Sequence, residues 1–292
     1  SVPDSVAEIP EGAFRDISTL ESVEFGSGLT SIGSQAFYST GITDLVVPDH
    51  VMHVGTAAFQ SLHHLRNLTI GSGLSQIKSN AFASLGQLTA LVIPDTVTSM
   101  DSWAFTYLGQ SAPATSLDIG SGITHIRSYT FAWCGLTEVE IPGSVELLDG
   151  SVFRGCTSLS SVKIRLGVTR IESSVFRDTA LTGTVALPET VTYVSDGAFP
   201  DWVSLCGGDS ALGFDPCPDV DCEGSWSACT ELCETADART FTETVFRTGN
   251  GDACPTTTDC QYGEGTCVRC TAKSGTAVWE ALGYSVAGDS TA

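Results

Sequence analysis

Apolar residues return along this chain at a nearly fixed interval. Phe14, Phe37, Phe59, Phe82, Phe105, Phe131, Phe153, Phe176 and Phe199 stand 22 to 26 residues apart. Between them runs a shared pattern, seen at Leu20-Val23-Phe25, Ile42-Leu45-Val47, Leu65-Leu68-Ile70, Leu88-Leu91-Ile93, Leu136-Val139-Ile141 and Leu159-Val162-Ile164. The last two members of each trio are separated by one residue, which predicts a short strand with one face buried. A second apolar pair follows, as in Leu29 and Ile32, Val51 and Val54, Leu74 and Ile77, or Val97 and Met100. The two are joined by a chain-reversing element of two alternating kinds. One is built on proline (Pro48-Asp49, Pro94-Asp95, Pro142-Gly143, Pro188-Glu189), the other on glycine (Gly26-Ser27-Gly28, Gly71-Ser72-Gly73, Gly120-Ser121-Gly122). Proline presets φ and glycine tolerates positive φ, so both reverse the chain at little cost. Such self-similarity predicts a β-rich solenoid of about nine coils, in which each coil buries its apolar edge against its neighbours. The phenylalanines form one continuous ladder inside it.

The stretch Leu91-Val92-Ile93-Pro94-Asp95-Thr96-Val97-Thr98-Ser99-Met100, closed by Ala104-Phe105, resembles the BspA-like (Treponema-type) leucine-rich repeat, whose units run L-x-x-I-x-I-P-x-[ST]-V-T-x-I-x-x-x-A-F. The resemblance covers about residues 2–205. It implies a curved right-handed solenoid, and proteins that are secreted or surface-bound and adhere to host, matrix or neighbouring cells. Two units depart from the pattern. Three extra residues fall near Gln110-Ser111-Ala112-Pro113, and one falls within Leu181-Thr182-Gly183-Thr184-Val185; both are expected as local bulges.

Charge and cysteine usage narrow the class. With 13 Lys and Arg against 34 Asp and Glu, the net charge of −21 repels phosphate and excludes nucleic acid as a partner. No apolar run reaches the roughly 18 residues of a membrane span. Of 11 cysteines, Cys134 and Cys156 occupy equivalent places in adjacent repeats. There they read as buried free thiols, with a bridge between them as the rival. The other nine (Cys206, Cys217, Cys222, Cys229, Cys233, Cys254, Cys260, Cys267 and Cys270) crowd behind the repeats. No histidine follows His125, and Cys267 and Cys270 form an isolated C-x-x-C, so disulfides are favoured over zinc. They place the protein in an oxidising compartment.

The run Asp221-Cys222-Glu223-Gly224-Ser225-Trp226-Ser227-Ala228-Cys229, with Cys233, Arg239-Thr240-Phe241-Thr242, Cys254-Pro255 and Cys260, resembles a thrombospondin type 1 repeat. That family's tryptophan stacks between arginines, which implies a cation–π layer of Trp226 and Arg239. Phe241 stands where the family has a second arginine, and the C-x-x-G-x-G segment is absent after Cys229. The expected organisation is a solenoid over 1–205, a cap or linker over 206–218, a thrombospondin-like disulfide-rich module over 219–270 and a tail or linker over 271–292. Seven cysteines from Cys222 to Cys270 leave one over, for the cap, a free thiol or a partner chain.

Residues facing outward on the first strands are expected to line the concave face. The candidates are Glu24, Asp44, Asn67, Thr69, Asp118, Glu138, Glu140 and Lys163, a mildly acidic surface suited to a basic or polyhydroxylated partner. Asn67-Leu68-Thr69 is also an N-glycosylation sequon. His50, His53, His63 and His64 cluster in one repeat but fall on a turn, a strand and a loop, so they read as surface histidines. No nucleophile elbow, phosphate loop, metal set or cofactor motif is present, and no enzyme is expected. The chain reads as an extracellular or cell-surface recognition or adhesion protein that binds a protein or glycan through its solenoid face. The alternative is a structural subunit of an extracellular assembly such as a wall, matrix or appendage, with covalent or non-covalent self-association.

Overall fold

Leu45 and Val47 can both enter a core only from an extended backbone, and the chain is extended there. The computed structural model describes residues 1–111, 116–217, 223–226, 241–245, 269–273 and 276–280. It divides into two units, Ser1–Asp215 and Pro216–Ala292. The first is a parallel β-solenoid carrying two kinds of strand. Four-residue strands run over Asp44–Val47, Asn67–Ile70, Ala90–Ile93, Ser116–Ile119, Glu138–Ile141, Ser161–Ile164, Thr184–Leu187 and Ser204–Gly207. Two-residue strands recur once per coil, from Glu8–Ile9 to Tyr193–Val194, and stack in parallel as a sheet of three followed by a sheet of six. The first trio, Leu20-Val23-Phe25, forms no strand. It lies in the first coil pair, where Val23 and Phe25 are only half-buried.

The long strands pair two by two: Asp44–Val47 with Asn67–Ile70, Ala90–Ile93 with Ser116–Ile119, Glu138–Ile141 with Ser161–Ile164, and Thr184–Leu187 with Ser204–Gly207. The alternation of turn types explains this grouping. In the second member of a pair an amide just after the strand reaches back to the preceding coil, as from Gly71 to Val47 O (2.8 Å) or Arg165 to Ile141 O (3.0 Å). In the first member that place is Pro48, Pro94, Pro142 or Pro188, which has no N–H to donate. The two-coil module is therefore written in the turns. Within it the glycine coil rides on the proline coil at close range: a Cβ at Gly73 would stand 2.0 Å from Asp49 O.

Inside, all nine phenylalanines stack, with centroids 4.9 to 5.6 Å apart and planes within 25°. The seven from Phe37 to Phe176 are fully buried. Each is bracketed two residues before it, and in all but the last coil two residues after it, by left-handed backbone. Gln35 and Ser39, Asn80 and Ser84, and Ser174 and Asp178 are examples, with φ between 55° and 61°. These turns reverse the direction of inter-coil hydrogen bonding, so that Phe82 N donates forward to Ala104 O (3.0 Å) while Gly33 N donates back to Ile9 O (2.8 Å). Thr30, Thr98, Thr169 and Thr192 add hydroxyl bonds of 3.0–3.2 Å to carbonyls of the coil before.

The extra residue at Leu181–Val185 is absorbed by Gly183, whose φ is +76° and which has open space around it. At the longer insertion Ser111 N donates to Gly86 O (2.8 Å); Ala112 and Pro113 lie outside the described residues. A disulfide joins Cys206, on the last long strand, to Cys217. Cys134 and Cys156 are buried free thiols.

In the second unit Glu223–Trp226 pairs antiparallel with Phe241–Val245, and Arg269–Lys273 with Thr276–Glu280. The second pair spans the boundary at Thr271 between the expected module and the expected tail or linker. Arg239, Cys222, Cys229, Cys233, Cys254, Cys260 and Cys267 lie outside the described residues.

Candidate functional site

The strand period of two sends every other residue of the long strands outward, and in-register pairing sets them in columns. Asp44 stands opposite Asn67, Val46 opposite Thr69, Val92 opposite Asp118, Glu138 opposite Ser161 and Glu140 opposite Lys163. The candidate residues from Asp44 to Lys163 therefore share one face. Glu24 belongs to the coil before, on extended chain outside any strand, where its carbonyl accepts from Val2 N (2.7 Å).

Two textures divide this face. Towards the N-terminus Val46 and Val92 are 58% and 60% exposed, with Thr69 between them. Valine at an outward position removes apolar surface from nothing, so these two are available to a partner. Beside them Asp44 accepts hydrogen bonds from Asn67 Nδ2 and from Thr43 Oγ1 (2.8 Å). Those bonds, Asn67 first, hold its carboxyl below the usual aspartate value and keep it charged. Further on the face turns acidic at Asp118, Glu138 and Glu140, with Arg165 Nε 2.7 Å from Glu140 Oε1.

A shallow depression of about 170 Å³ lies between Ser116–Ile119 and Glu138–Ile141, lined by Leu117, Glu138, Val139, Glu140 and Lys163 among others. It falls at a boundary between two-coil modules, where the proline has interrupted the ladder. Pockets that enclose small molecules measure roughly 300–1,000 Å³. A second, more open depression of about 300 Å³ adjoins the first, lined by Leu117, Asp118, Ile119, Glu140 and Pro142.

The other sequence candidates fall elsewhere. His50 Nε2 lies 3.2 Å from Gly26 O in the turn, His53 is on the short strands, and His63 and His64 are exposed. Among the described residues no group of His, Cys, Asp and Glu is arranged to hold a metal. The thiols of Cys134 and Cys156 point at Phe105 O (3.4 Å) and Phe131 O (3.1 Å). Burial, with the neighbouring Cys156, pushes the Cys134 thiol well above its ordinary value, so it remains protonated and unreactive.

Sequence reasoning missed one cluster. Trp103, Tyr107, Tyr129 and Trp133 flank Phe105 and Phe131 at the bracketing places and stack on one another. The signal was present as aromatics two residues either side of the ladder phenylalanine in consecutive units.

Comparison with known proteins places these observations. The model of the BspA type leucine rich repeat region matches residues 1–112 and 110–205. No curated protein matches the chain. Among solved structures, a leucine-rich repeat protein from Bacteroides ovatus is 18% identical over 72% of this chain and 68% of its own, with a TM-score of 0.49. The pneumococcal vaccine antigen PcpA is 20% identical over 70% of this chain and 61% of its own (TM-score 0.46). A leucine rich cell surface protein from Faecalibacterium prausnitzii is 20% identical over 70% and 71% (TM-score 0.39).

Proposed function

Because the chain belongs to the BspA type leucine-rich repeat family, we propose that it is a surface or secreted recognition protein whose long-strand face binds a partner protein. The observation that carries this reading is the pair of exposed valines Val46 and Val92, with Thr69 between them, on the face that also carries the carboxylates of Asp118, Glu138 and Glu140. Exposed apolar residues and carboxylates on one face fit an extended segment that interleaves Lys or Arg with apolar residues. The Cys206–Cys217 disulfide supports an oxidising, extracellular setting. The second unit is read as a thrombospondin type 1-like module on its cysteine and W-S-x-C pattern, with the antiparallel register of Trp226 on Phe241 in keeping. Binding, rather than catalysis, is the work for which such a face is suited.

The test is selection of a random-peptide phage library on the immobilised chain. Enriched peptides should carry basic and apolar residues in alternation and lose about tenfold or more in affinity to a Val46→Asp/Val92→Asp variant. Failure to enrich, or enrichment indifferent to that variant, overturns the reading.

A further inference from the structure

The aromatic quartet opposes local backbone preference. Trp103, Tyr107, Tyr129 and Trp133 have φ of 69°, 61°, 61° and 55°. Left-handed backbone brings Cβ towards the carbonyl oxygen, a penalty every L-residue carries and bulky ones carry least comfortably. Other coils fill these places with small or polar side chains: Gln35 and Ser39, Ala57 and Ser61, Asn80 and Ser84, Ser151 and Gly155, Ser174 and Asp178. Two adjacent coils instead place four large rings there, three half-buried and Tyr107 38% exposed. Strain concentrated at the surface marks a position held for something other than the fold.

The rings form one slab. Trp103 lies 4.2 Å from Tyr129 with planes 7° apart, Tyr107 lies 5.2 Å from Trp133 at 12°, and Trp133 lies 5.9 and 6.0 Å from Trp103 and Tyr129. At the C-terminal end of the slab Trp133 leans over Gly155, where a Cβ would come within 2.4 Å of the indole. At the N-terminal end stands Trp103, in the coil that adjoins the preceding one through Phe82 N to Ala104 O. The residues in the preceding coil at the matching places are Asn80 and Ser84, set in register by Ser84 N to Thr106 O (2.8 Å) and Phe82 N to Ala104 O (3.0 Å). Asn80 Nδ2 donates to Ser79 Oγ (3.1 Å), and Ser79 Oγ donates to Ser102 O (2.8 Å). A large ring thus rises beside a low shelf of amide and hydroxyl groups.

We propose that this shelf is a carbohydrate-binding subsite, in which the C–H face of a neutral hexose stacks on the Trp103 indole while its hydroxyls meet Asn80 and Ser84. Size argues for a sugar over a protein. A standard protein interface takes roughly 800 Å² from each partner. Whole aromatic side chains bury roughly 150–250 Å² each, and these four are already partly covered. Among the described residues, no other large apolar side chain of the corresponding turns in the neighbouring coils is exposed. The site is separate from the long-strand face.

The experiment is calorimetric titration of the full chain with cellohexaose, maltohexaose and chitohexaose, alongside Trp103→Asn and Tyr107→Ser. Both variants install the residue type found in the coil before, which suits left-handed backbone. The expected result is binding of at least one hexasaccharide, weakened about tenfold or more in each variant, with the thermal transition unchanged or raised. A purely structural role for the rings predicts the reverse, a lowered transition. If the chain binds none of the three sugars, or the variants bind as well as the parent, the proposal is overturned. Loss of sugar binding in Val46→Asp/Val92→Asp would move the site to the long-strand face and also overturn it. Peptide binding by that face stands or falls independently.

Discussion

The carboxylate of Asp49 holds Ser72 twice, accepting from its backbone amide at 2.7 Å and from its hydroxyl at 3.0 Å, across one full coil. The same clasp recurs from Asp4 to Ser27 and from Asp95 to Ser121. It joins the proline turn of one coil to the glycine turn of the next and fastens the two-coil module.

These clasps make stability depend on pH. The backbone bond first, then the hydroxyl bond, holds each of the three carboxyls below the ordinary aspartate value. A depressed folded-state pKa contributes stability above the unfolded value of about 3.9 and loses it as pH falls through the folded value. The midpoint of thermal unfolding should therefore drop as pH is lowered below about 5. It should drop less steeply in an Asp49→Asn/Asp95→Asn variant; equal slopes in the two proteins would count against the clasp.

The phenylalanine ladder is the main store of apolar burial. Phe82 stacks between Phe59 and Phe105 at 5.5 and 5.6 Å and is fully buried. Phe82→Ala should lower unfolding free energy by about 3–5 kcal/mol, measured by urea titration. Because each coil contacts only its neighbours, the same change should also broaden or split the transition.

Glycine at the second place of the Gly-Ser-Gly turn is required by proximity. Gly73→Ala would set a methyl 2.0 Å from Asp49 O, whereas Gly183→Ala meets open space and only a positive φ. The first should cost about 2–3 kcal/mol and the second about 1 kcal/mol. Chemical denaturation of the two variants side by side checks the order.

The buried thiols should be silent in the native state. Cys134 and Cys156 are 3% and 0% exposed. Iodoacetamide followed by peptide mass mapping should leave both unmodified in native buffer and modify both in denaturant. Native labelling of either would mean that the sixth and seventh coils open far more readily than their packing implies.

Much of this was readable in advance for a local reason. Burial in a solenoid is decided coil by coil, so Leu45, Val47 and Phe59 announce their places through period and spacing alone, as do the two turn types. The grouping of coils into pairs was written as Pro48 against Gly71, but its meaning is a missing hydrogen-bond donor that only a neighbouring strand makes visible. The candidate face was legible residue by residue. Its division into the Val46–Val92 pair and the acidic stretch from Asp118 depended on which coils sit side by side.

The sequence by itself determined the solenoid, its coil boundaries and the ladder inside it, because these follow from periodicities of a few residues repeated many times. Only the tertiary structure decided what adjacent coils do to one another. It set Asp49 over Ser72, closed the space beside Gly73, and gathered Trp103, Tyr107, Tyr129 and Trp133 into one slab on strained backbone. The physical reason is distance: residues 22 to 26 apart along the chain come within about 5 Å across the stack, and no local pattern states what they will meet there.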